Sequence, residues 1–426
     1  AIVALVASNF DRGERPRAYG LIASAAAIAI AVGPIIGGLF TSYLSWRYVF
    51  AGEVLIVLAI LALARRIEDV PGEKDVHLDL VGTALSASGL GLAVFGLLKA
   101  GTWGFVIAKP DAPQWLGLSP TIWLILAGAA VIWGFFRWEG RVLARGGQPL
   151  VDPAILRVTQ LRVGLTTFFA QYFVQGGMFF VVPLFLSVAL GLSAIETGVR
   201  LLPLSVTLLI SAAGIPRYLP DASPRRVAQF GFVTLFIALV VLIAALDQGA
   251  GAEITTWPML LAGIGVGALA SQLGSVTVSA VPDERSGEVG GLQNTLTNLG
   301  ISVATALTGA VLIAALTSSF ISGVEQNPAV PTTVKSQTSV ELASGIPFIS
   351  DAELEASLKS HGVSGATADA IVEENETARL AGLRAALSVL ALFALAGAIY
   401  SRRLPDEQPA ATQARQDAEA QTAAPA

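Results

Sequence analysis

Ten long apolar stretches, nearly free of charge, recur along this 426-residue chain. An α-helix needs about 20 such residues to cross a bilayer, and a charge at the bilayer centre costs roughly 2.5–3.5 kcal/mol. The stretches therefore predict membrane-spanning helices, at residues 18–40, 46–64, 80–98, 119–136, 164–187, 197–214, 226–246, 257–280, 289–316 and 381–400. The apolar residues 1–8 are interpreted as the end of a further span, because no basic segment of a signal peptide precedes them.

Composition agrees with an all-α membrane protein. Only 13% of the residues are charged, whereas a soluble domain carries about 25%. The chain has no Cys, and His77 and His361 lie in separate polar segments, so neither a thiolate nor a histidine metal site is predicted. The sequence also lacks a phosphate-binding glycine loop followed by Lys and Ser or Thr. We therefore expect no enzyme, no metal or other cofactor, and neither ATP nor nucleic acid as a partner.

The basic residues of the loops predict the orientation. Eighteen Lys and Arg fall in the loops 9–17, 65–79, 137–163, 215–226, 281–288 and 401–426. The short loops opposite hold three, Arg47, Lys99 and Lys109. Because basic loops stay in the cytoplasm, we expect a multi-pass protein of the cell (plasma or inner) membrane with a cytoplasmic C-terminus. The long loop 317–380 is then external, and a capping box at Ser350 and Glu353 predicts short helices within it.

A weak internal repeat predicts how the spans are organised. Glu14-Arg15 precedes Gly20, and Glu284-Arg285 precedes Gly290 at the same spacing, 270 residues later. Two parallel halves would produce such a match. Residues 1–64 are then the remainder of an N-terminal half, with spans four (partial), five and six. Residues 80–136 hold two inserted central spans, 164–400 form a six-span C-terminal half, and the polar tail 401–426 is expected to be disordered.

Several segments resemble one family. The run Gly33-Pro34-Ile35-Ile36-Gly37-Gly38 is similar to the antiporter motif of the major facilitator superfamily. The segments Ser45-Trp46-Arg47-Tyr48-Val49-Phe50, Asp79, and Lys99-Ala100-Gly101-Thr102-Trp103-Gly104 resemble its fourteen-span drug/proton antiporter branch. The resemblance implies a helical bundle of two six-helix halves plus two inserted helices. It also implies an N-terminally truncated fragment that lacks the first three to four helices and the acidic residue of the first.

Two candidate sites follow in the first half. Gly33 and Gly37 share a helix face and Pro34 bends the helix, so the motif is interpreted as a bend that closes against a neighbour in one transport state; ordinary small-residue packing is the alternative. Glu53 is an acidic residue inside a span, and such residues are functional candidates for proton coupling. A structural hydrogen-bonding role for Glu53 is equally open.

Polar residues on the C-terminal spans predict a substrate cavity. They are mostly amides at helical spacing, and they serve either as contacts between helices or as substrate contacts in an apolar pocket: Gln171, Tyr172, Gln175, Gln272, Gln293, Asn294 and Asn298. Charged residues at helix starts predict a cytoplasmic gate, with simple orientation by charge as the alternative: Asp11, Arg12, Arg15, Asp221, Arg225 and Arg285.

These features together predict a secondary transporter that exports lipophilic or cationic drug-like compounds by proton antiport and alternating access. Its expected partners are the lipid bilayer, a small lipophilic substrate and protons. A transporter for an endogenous metabolite or lipid is the nearest alternative. A non-transporting membrane scaffold and a membrane-embedded enzyme are alternatives from other classes.

Overall fold

The computed structural model of the chain describes residues 29, 32–33, 35–65, 79–109, 112–282, 285–331, 348–360, 363 and 365–408. Within these residues the only pairing of strand type is an isolated bridge between Trp115 and Leu118. The helices are α1 (Ile35–Leu44), α2 (Arg47–Ala64), α3 (Leu80–Trp103), α4 (Pro120–Ala144), α5 (Thr159–Leu184), α6 (Ala194–Tyr218), α7 (Pro224–Ala245), α8 (Thr256–Val278), α9 (Ser286–Gln326), α10 (Asp351–Ser360) and α11 (Ala366–Tyr400).

Nine of the helices in the described ranges are long and apolar enough to cross a membrane. They are α2 to α9 and α11, and they coincide with the nine spans predicted after residue 45, so the all-helical membrane fold is confirmed. The predicted span 18–40 lies largely outside the described residues. Its end overlaps the short apolar helix α1.

Polar caps set several helix starts. Asp79 precedes α3 and accepts a hydrogen bond from the Gly82 N–H at 2.8 Å. Ser119 precedes Pro120, whose missing N–H is harmless at a first helical position. Ser193 and Glu196 form a capping box at the start of α6. These caps satisfy N–H groups that have no partner inside a helix.

Six helices, α5 to α9 and α11, pack around one apolar core. Its most buried members include Phe173, Leu235, Leu269 and Leu387, each at most 1% exposed. Glycine lets the helices approach closely where α7 crosses α8. A Cβ on Gly231 would lie 2.8 Å from the carbonyl oxygen of Gly265, and a Cβ on Gly265 would lie 2.6 Å from that of Gly231. Side chains at this crossing would force the helices apart.

The helices α3 and α4 form a separate pair, and α3 packs against α9. A Cβ on Gly128 of α4 would lie 2.6 Å from the carbonyl oxygen of Gly89 on α3, so this pair is also closely packed. By contrast, α2 has none of its apolar window buried within the described residues, although its mean hydropathy is 2.1.

Two boundaries differ from the sequence prediction. The long helices extend into the predicted loop 317–380, because α9 continues to Gln326 and α11 begins at Ala366. Apolar residues on these extensions, among them Phe320, Val324 and Ile371, form a second small core. The predicted capping box is confirmed, since Ser350 Oγ accepts from the Glu353 N–H while Glu353 accepts from the Ser350 N–H.

The prediction of a disordered tail is wrong for residues 401–408. Ser401–Arg403 form a turn of 3-10 helix, and Leu404 is fully buried in the main core. Arg225 at the start of α7 fixes this segment through an ion pair with Asp406 at 2.7 Å. Residues 409–426 lie outside the described residues.

Candidate functional site

The glycine run at the start of the described chain makes one close contact. A Cβ on Gly38 would lie 2.7 Å from Ile195 Cα at the start of α6, so only glycine fits there without displacement. The Ile195 N–H also donates to Ser42 Oγ at 3.2 Å. Among the described residues, and apart from the local backbone, no atom lies within 4 Å of a Cβ on Gly33 or Gly37. Pro34 lies outside the described residues, so the bend predicted there stays a prediction.

Glu53, the candidate for proton coupling, lies exposed on α2. None of the hydrogen bonds or ion pairs found among the described residues involves it. The α2 helix contacts little else within the described chain, and a coupling role for this carboxylate stays a prediction.

Three of the predicted cavity residues form contacts with other parts of the fold, two of them with a neighbouring helix and one with the C-terminal segment. Gln293 of α9 donates to Thr277 Oγ1 and to the carbonyl oxygen of Gly274, both on α8. Gln272 of α8 is 3% exposed and accepts from Gln408 at 3.0 Å. Tyr172 of α5 forms a hydrogen bond with Thr297 of α9.

The other predicted cavity residues have different surroundings. Gln171 is 2% exposed, and its Oε1 has no hydrogen-bond partner within the described chain. Gln175 is half-buried on the same helix. Asn294 and Asn298 are exposed on α9, where the Asn298 amide donates to the carbonyl oxygen of Asn294 at 2.9 Å. None of the seven predicted residues lines the cavity described next.

A cavity of about 710 Å³ lies between the α3–α4 pair and the helices α5 and α9. Its wall is mainly aromatic and aliphatic, with Phe135, Phe136 and Phe169 among several leucines. Its polar groups are few and include Thr166, Thr295, Arg162 and Glu288. This size and composition are typical of sites for small lipophilic molecules.

Three charged residues meet beside this cavity and are called here the Asp152 cluster: Asp152, Arg285 and Glu288. The Arg285 guanidinium contacts Asp152 Oδ2 at 2.6 Å and Glu288 Oε1 at 3.1 Å. The Asp152 backbone N–H donates to Glu288 Oε2 at 3.1 Å. The cluster therefore ties the loop after α4 to the start of α9.

The electrostatics of the cluster favour its charged state. The Ala154 N–H donates to Asp152 at 2.7 Å, and this bond, together with Arg285, lowers the pKa of the Asp152 carboxyl. Hydrogen bonds to Glu288 and Asp152 raise the pKa of Arg285. Both effects arise because the neighbours stabilise the ionised forms.

The three predicted gate residues that the structure describes do not meet in one place. Arg285 belongs to the Asp152 cluster, Arg225 pairs with Asp406, and Asp221 is exposed. Asp11, Arg12 and Arg15 lie outside the described residues. Asp152 and Glu288, the partners of Arg285, were not predicted from the sequence. The i,i+3 spacing of Arg285 and Glu288 on one helix was a signal for half of the cluster.

Comparison with known proteins shows a family and a number of relatives, three of which follow. The pattern of the Major Facilitator Superfamily matches residues 1–305. The probable actinorhodin transporter of Streptomyces coelicolor is 27% identical over 336 residues, 75% of this chain and 55% of that protein. The tetracenomycin C resistance and export protein of Streptomyces glaucescens is 29% identical over 72% of this chain and 55% of that protein. The multidrug resistance protein Stp of Mycobacterium tuberculosis is 25% identical over 80% and 60%. The chain thus spans little more than half the length of these relatives.

Proposed function

Because this chain belongs to the major facilitator superfamily, a family of transporters and not of enzymes, we propose that its complete protein is a secondary transporter that exports lipophilic or cationic drug-like compounds in exchange for protons. The observation that carries this proposal is the similarity to relatives named for antibiotic export and for multidrug resistance. Two pseudo-symmetric halves would alternate access to a site near the middle of the membrane.

The 710 Å³ cavity supports the substrate class. Its aromatic wall offers large apolar contacts, and its few hydroxyls can orient a bound molecule. Glu288 at its edge gives a cationic compound a partner of opposite charge. An endogenous lipid or metabolite of similar character is the alternative substrate.

The contact at Gly38 supports a role for the antiporter motif. We propose that α1 closes against the start of α6 in one transport state and separates from it in another. The close approach of Gly38 to Ile195 is what such a closure needs, because small residues let helices pack without intervening side chains. The branch with two inserted helices, the cytoplasmic C-terminus and location in the cell membrane belong to the same proposal.

The test uses the complete protein in sealed vesicles that contain a pH-sensitive dye. Adding a lipophilic cation should produce a proton flux opposite to the substrate flux, and a protonophore should abolish substrate accumulation. Thr295→Trp fills the cavity and should reduce transport. Thr305→Trp is the matched control, because Thr295 and Thr305 lie on α9 and each bonds the carbonyl four residues before it, at 3.0 and 2.9 Å.

A flux of substrate without protons would reject the antiport mechanism. No substrate flux at all would favour the scaffold alternative. Equal loss of transport in Thr295→Trp and Thr305→Trp would reject the cavity as the substrate site.

A further inference from the structure

Two carboxyl groups face each other between the two helices of the α3–α4 pair. Glu139 lies in the last two turns of α4 and is fully buried. Asp79 is the cap residue of α3. A Cβ on Gly82 would clash with both Glu139 Oε1 and Asp79 Oδ2, so the two oxygens border the same small space. The two side chains are close enough for a hydrogen bond between them.

Only one of the two carboxyl groups has a hydrogen-bond partner for each of its oxygens within the described chain. Asp79 accepts from the Gly82 N–H at 2.8 Å and from the Trp138 indole N–H at 2.8 Å. Glu139 Oε2 accepts from the Val151 N–H at 3.4 Å. Glu139 Oε1 is buried and has no partner among the described residues. Two carboxylates are both acceptors, so a bond between Oε1 and Asp79 forms only when a proton lies between them.

No cation balances the pair within the described chain. The charged groups on the surrounding elements are Asp152 in the loop after α4, Arg285 and Glu288 at the start of α9, and Arg137, Arg141 and Arg145 on α4 itself. Asp152, Arg285 and Glu288 are engaged with one another. Arg137 stacks on Trp133, while Arg141 and Arg145 are exposed. Among the described residues, the two adjacent negative charges thus lack a counter-ion, and this arrangement again favours a shared proton.

We propose that Glu139 and Asp79 form a proton-binding pair in which Glu139 carries the proton on Oε1 and donates a hydrogen bond to Asp79, and that the protonation state of this pair controls the Asp152 cluster. The proposal rests on proton-coupled transport as the function, and it names a coupling site other than Glu53.

The link to the Asp152 cluster runs through one short stretch of backbone. Val151 donates to Glu139 Oε2, and the next N–H, that of Asp152, donates to Glu288 of the cluster. A hydrogen bond to an ionised carboxylate is stronger than one to a neutral acid. Protonation of Glu139 therefore weakens the hydrogen bond from the Val151 N–H and loosens the loop that carries Asp152. Loss of the proton strengthens this hydrogen bond, and so tightens the connection of the loop to α9 beside the cavity.

The first experiment detects the proton directly in the purified full chain by infrared spectroscopy. We expect the C=O stretch of a buried carboxylic acid at neutral pH, which disappears when the pH is raised. Glu139→Gln should abolish this signal, whereas Glu373→Gln, which changes an exposed carboxylate of α11, should leave it intact. Persistence of the signal in Glu139→Gln, or its absence from the unmodified chain, would overturn the proposal.

A second variant covers the case in which Glu139→Gln does not fold. Asp79→Asn keeps a good helix cap and an acceptor for Trp138, and its amide offers Glu139 Oε1 a donor. Glu139 then no longer needs the proton, so the signal should also be lost in Asp79→Asn. Retention of the signal there would contradict the shared-proton geometry.

The second experiment follows the Asp152 cluster with spin labels on introduced cysteines at Gln148 and Asn294, which are both exposed. The chain has no Cys, so these labels are the only ones. Acidification to about pH 5, from the alkaline pH at which the infrared signal is absent, should broaden the distance distribution, because Glu139 then takes up its proton. Asp152 stays ionised over this range, with a pKa below its usual value of about 3.9, so its own titration does not cause the change. In Glu139→Gln the distribution should be broad throughout this range. An unchanged pH response in Glu139→Gln would overturn the coupling.

Neither measurement needs a substrate or a membrane gradient. Failure of transport in vesicles would therefore leave the proton-binding pair testable. Conversely, proton-driven export that persists in Glu139→Gln would remove the pair from the mechanism while leaving the proposed function in place.

Discussion

The close approach of α1 to α6 allows a sharp test at a single methyl group. In Gly38→Ala the new Cβ would lie 2.7 Å from Ile195 Cα and 2.9 Å from the Ala194 carbonyl oxygen. Carbon atoms in contact normally lie about 3.5–4.0 Å apart, so the helices must separate by about 1 Å. Both opposing atoms belong to the backbone and cannot rotate away. Overpacking of this kind costs about 1–3 kcal/mol.

Gly33→Ala provides the matched control. It makes the same change in the same motif, but apart from the local backbone no atom of the described residues lies within 4 Å of its Cβ. Both variants gain up to about 1 kcal/mol of helix propensity, so this gain cancels between them. The docked fraction of α1 should therefore be lower in Gly38→Ala than in Gly33→Ala by roughly 5- to 150-fold in the equilibrium constant.

Spin labels at the exposed residues Tyr43 and Val199 would report this equilibrium. We expect a short distance to dominate in the unmodified chain and in Gly33→Ala, and a longer, broader distribution in Gly38→Ala. If the two alanine variants give the same distribution, the contact at Gly38 does not position α1, and the reasoning about the antiporter motif fails.

Two further predictions concern charged side chains. Asp152 has a lowered pKa in the folded chain, so its contribution to stability is fully present above its unfolded pKa of about 3.9 and is lost as the pH falls through the lower folded value. The difference in thermal midpoint between the unmodified chain and Asp152→Asn should therefore be constant near neutrality and vanish in strong acid. A difference that grows on acidification would contradict this. Arg379 is 2% exposed and anchors the segment 348–360 by donating to the Ile349 carbonyl oxygen and to Asp351 at 2.9 and 2.7 Å. Arg379→Met should speed proteolytic cleavage within 348–360 severalfold, whereas Arg402→Met, at an exposed arginine, should not; equal cleavage rates would show that Arg379 does not anchor the segment.

The helices were predictable from the sequence because the membrane imposes a simple rule. Every backbone polar group in hydrocarbon must be paired within its own helix, so a run of apolar residues such as 226–246 corresponds closely to α7, at Pro224–Ala245. The rule fails at the ends. The extension of α9 to Gln326 carries polar residues such as Ser318 and Ser319, which lower hydropathy while Phe320 and Val324 still pack inward.

The candidate sites were less predictable, since a side chain's role depends on which face of its helix meets a neighbour. Glu139 lies beyond the predicted end of its span at residue 136, and its burial follows from packing against Asp79, 60 positions earlier in the sequence. Glu53, which stood out by its position inside an apolar run, lies exposed on α2. The partners of Arg285 and Arg225 are likewise distant in sequence, at Asp152 and Asp406.

The arrangement of the helices across a bilayer can be tested by labelling single cysteines in intact cells, starting from a chain that has none of its own. Cysteines at Gln148 and Asp221 lie in basic loops, and one at Lys359 lies in α10. A membrane-impermeant maleimide should label Lys359→Cys in intact cells, and Gln148→Cys and Asp221→Cys only after permeabilisation. Labelling of Gln148→Cys and Asp221→Cys from opposite faces, or of all three from one face, would contradict the membrane architecture on which the proposed transport depends.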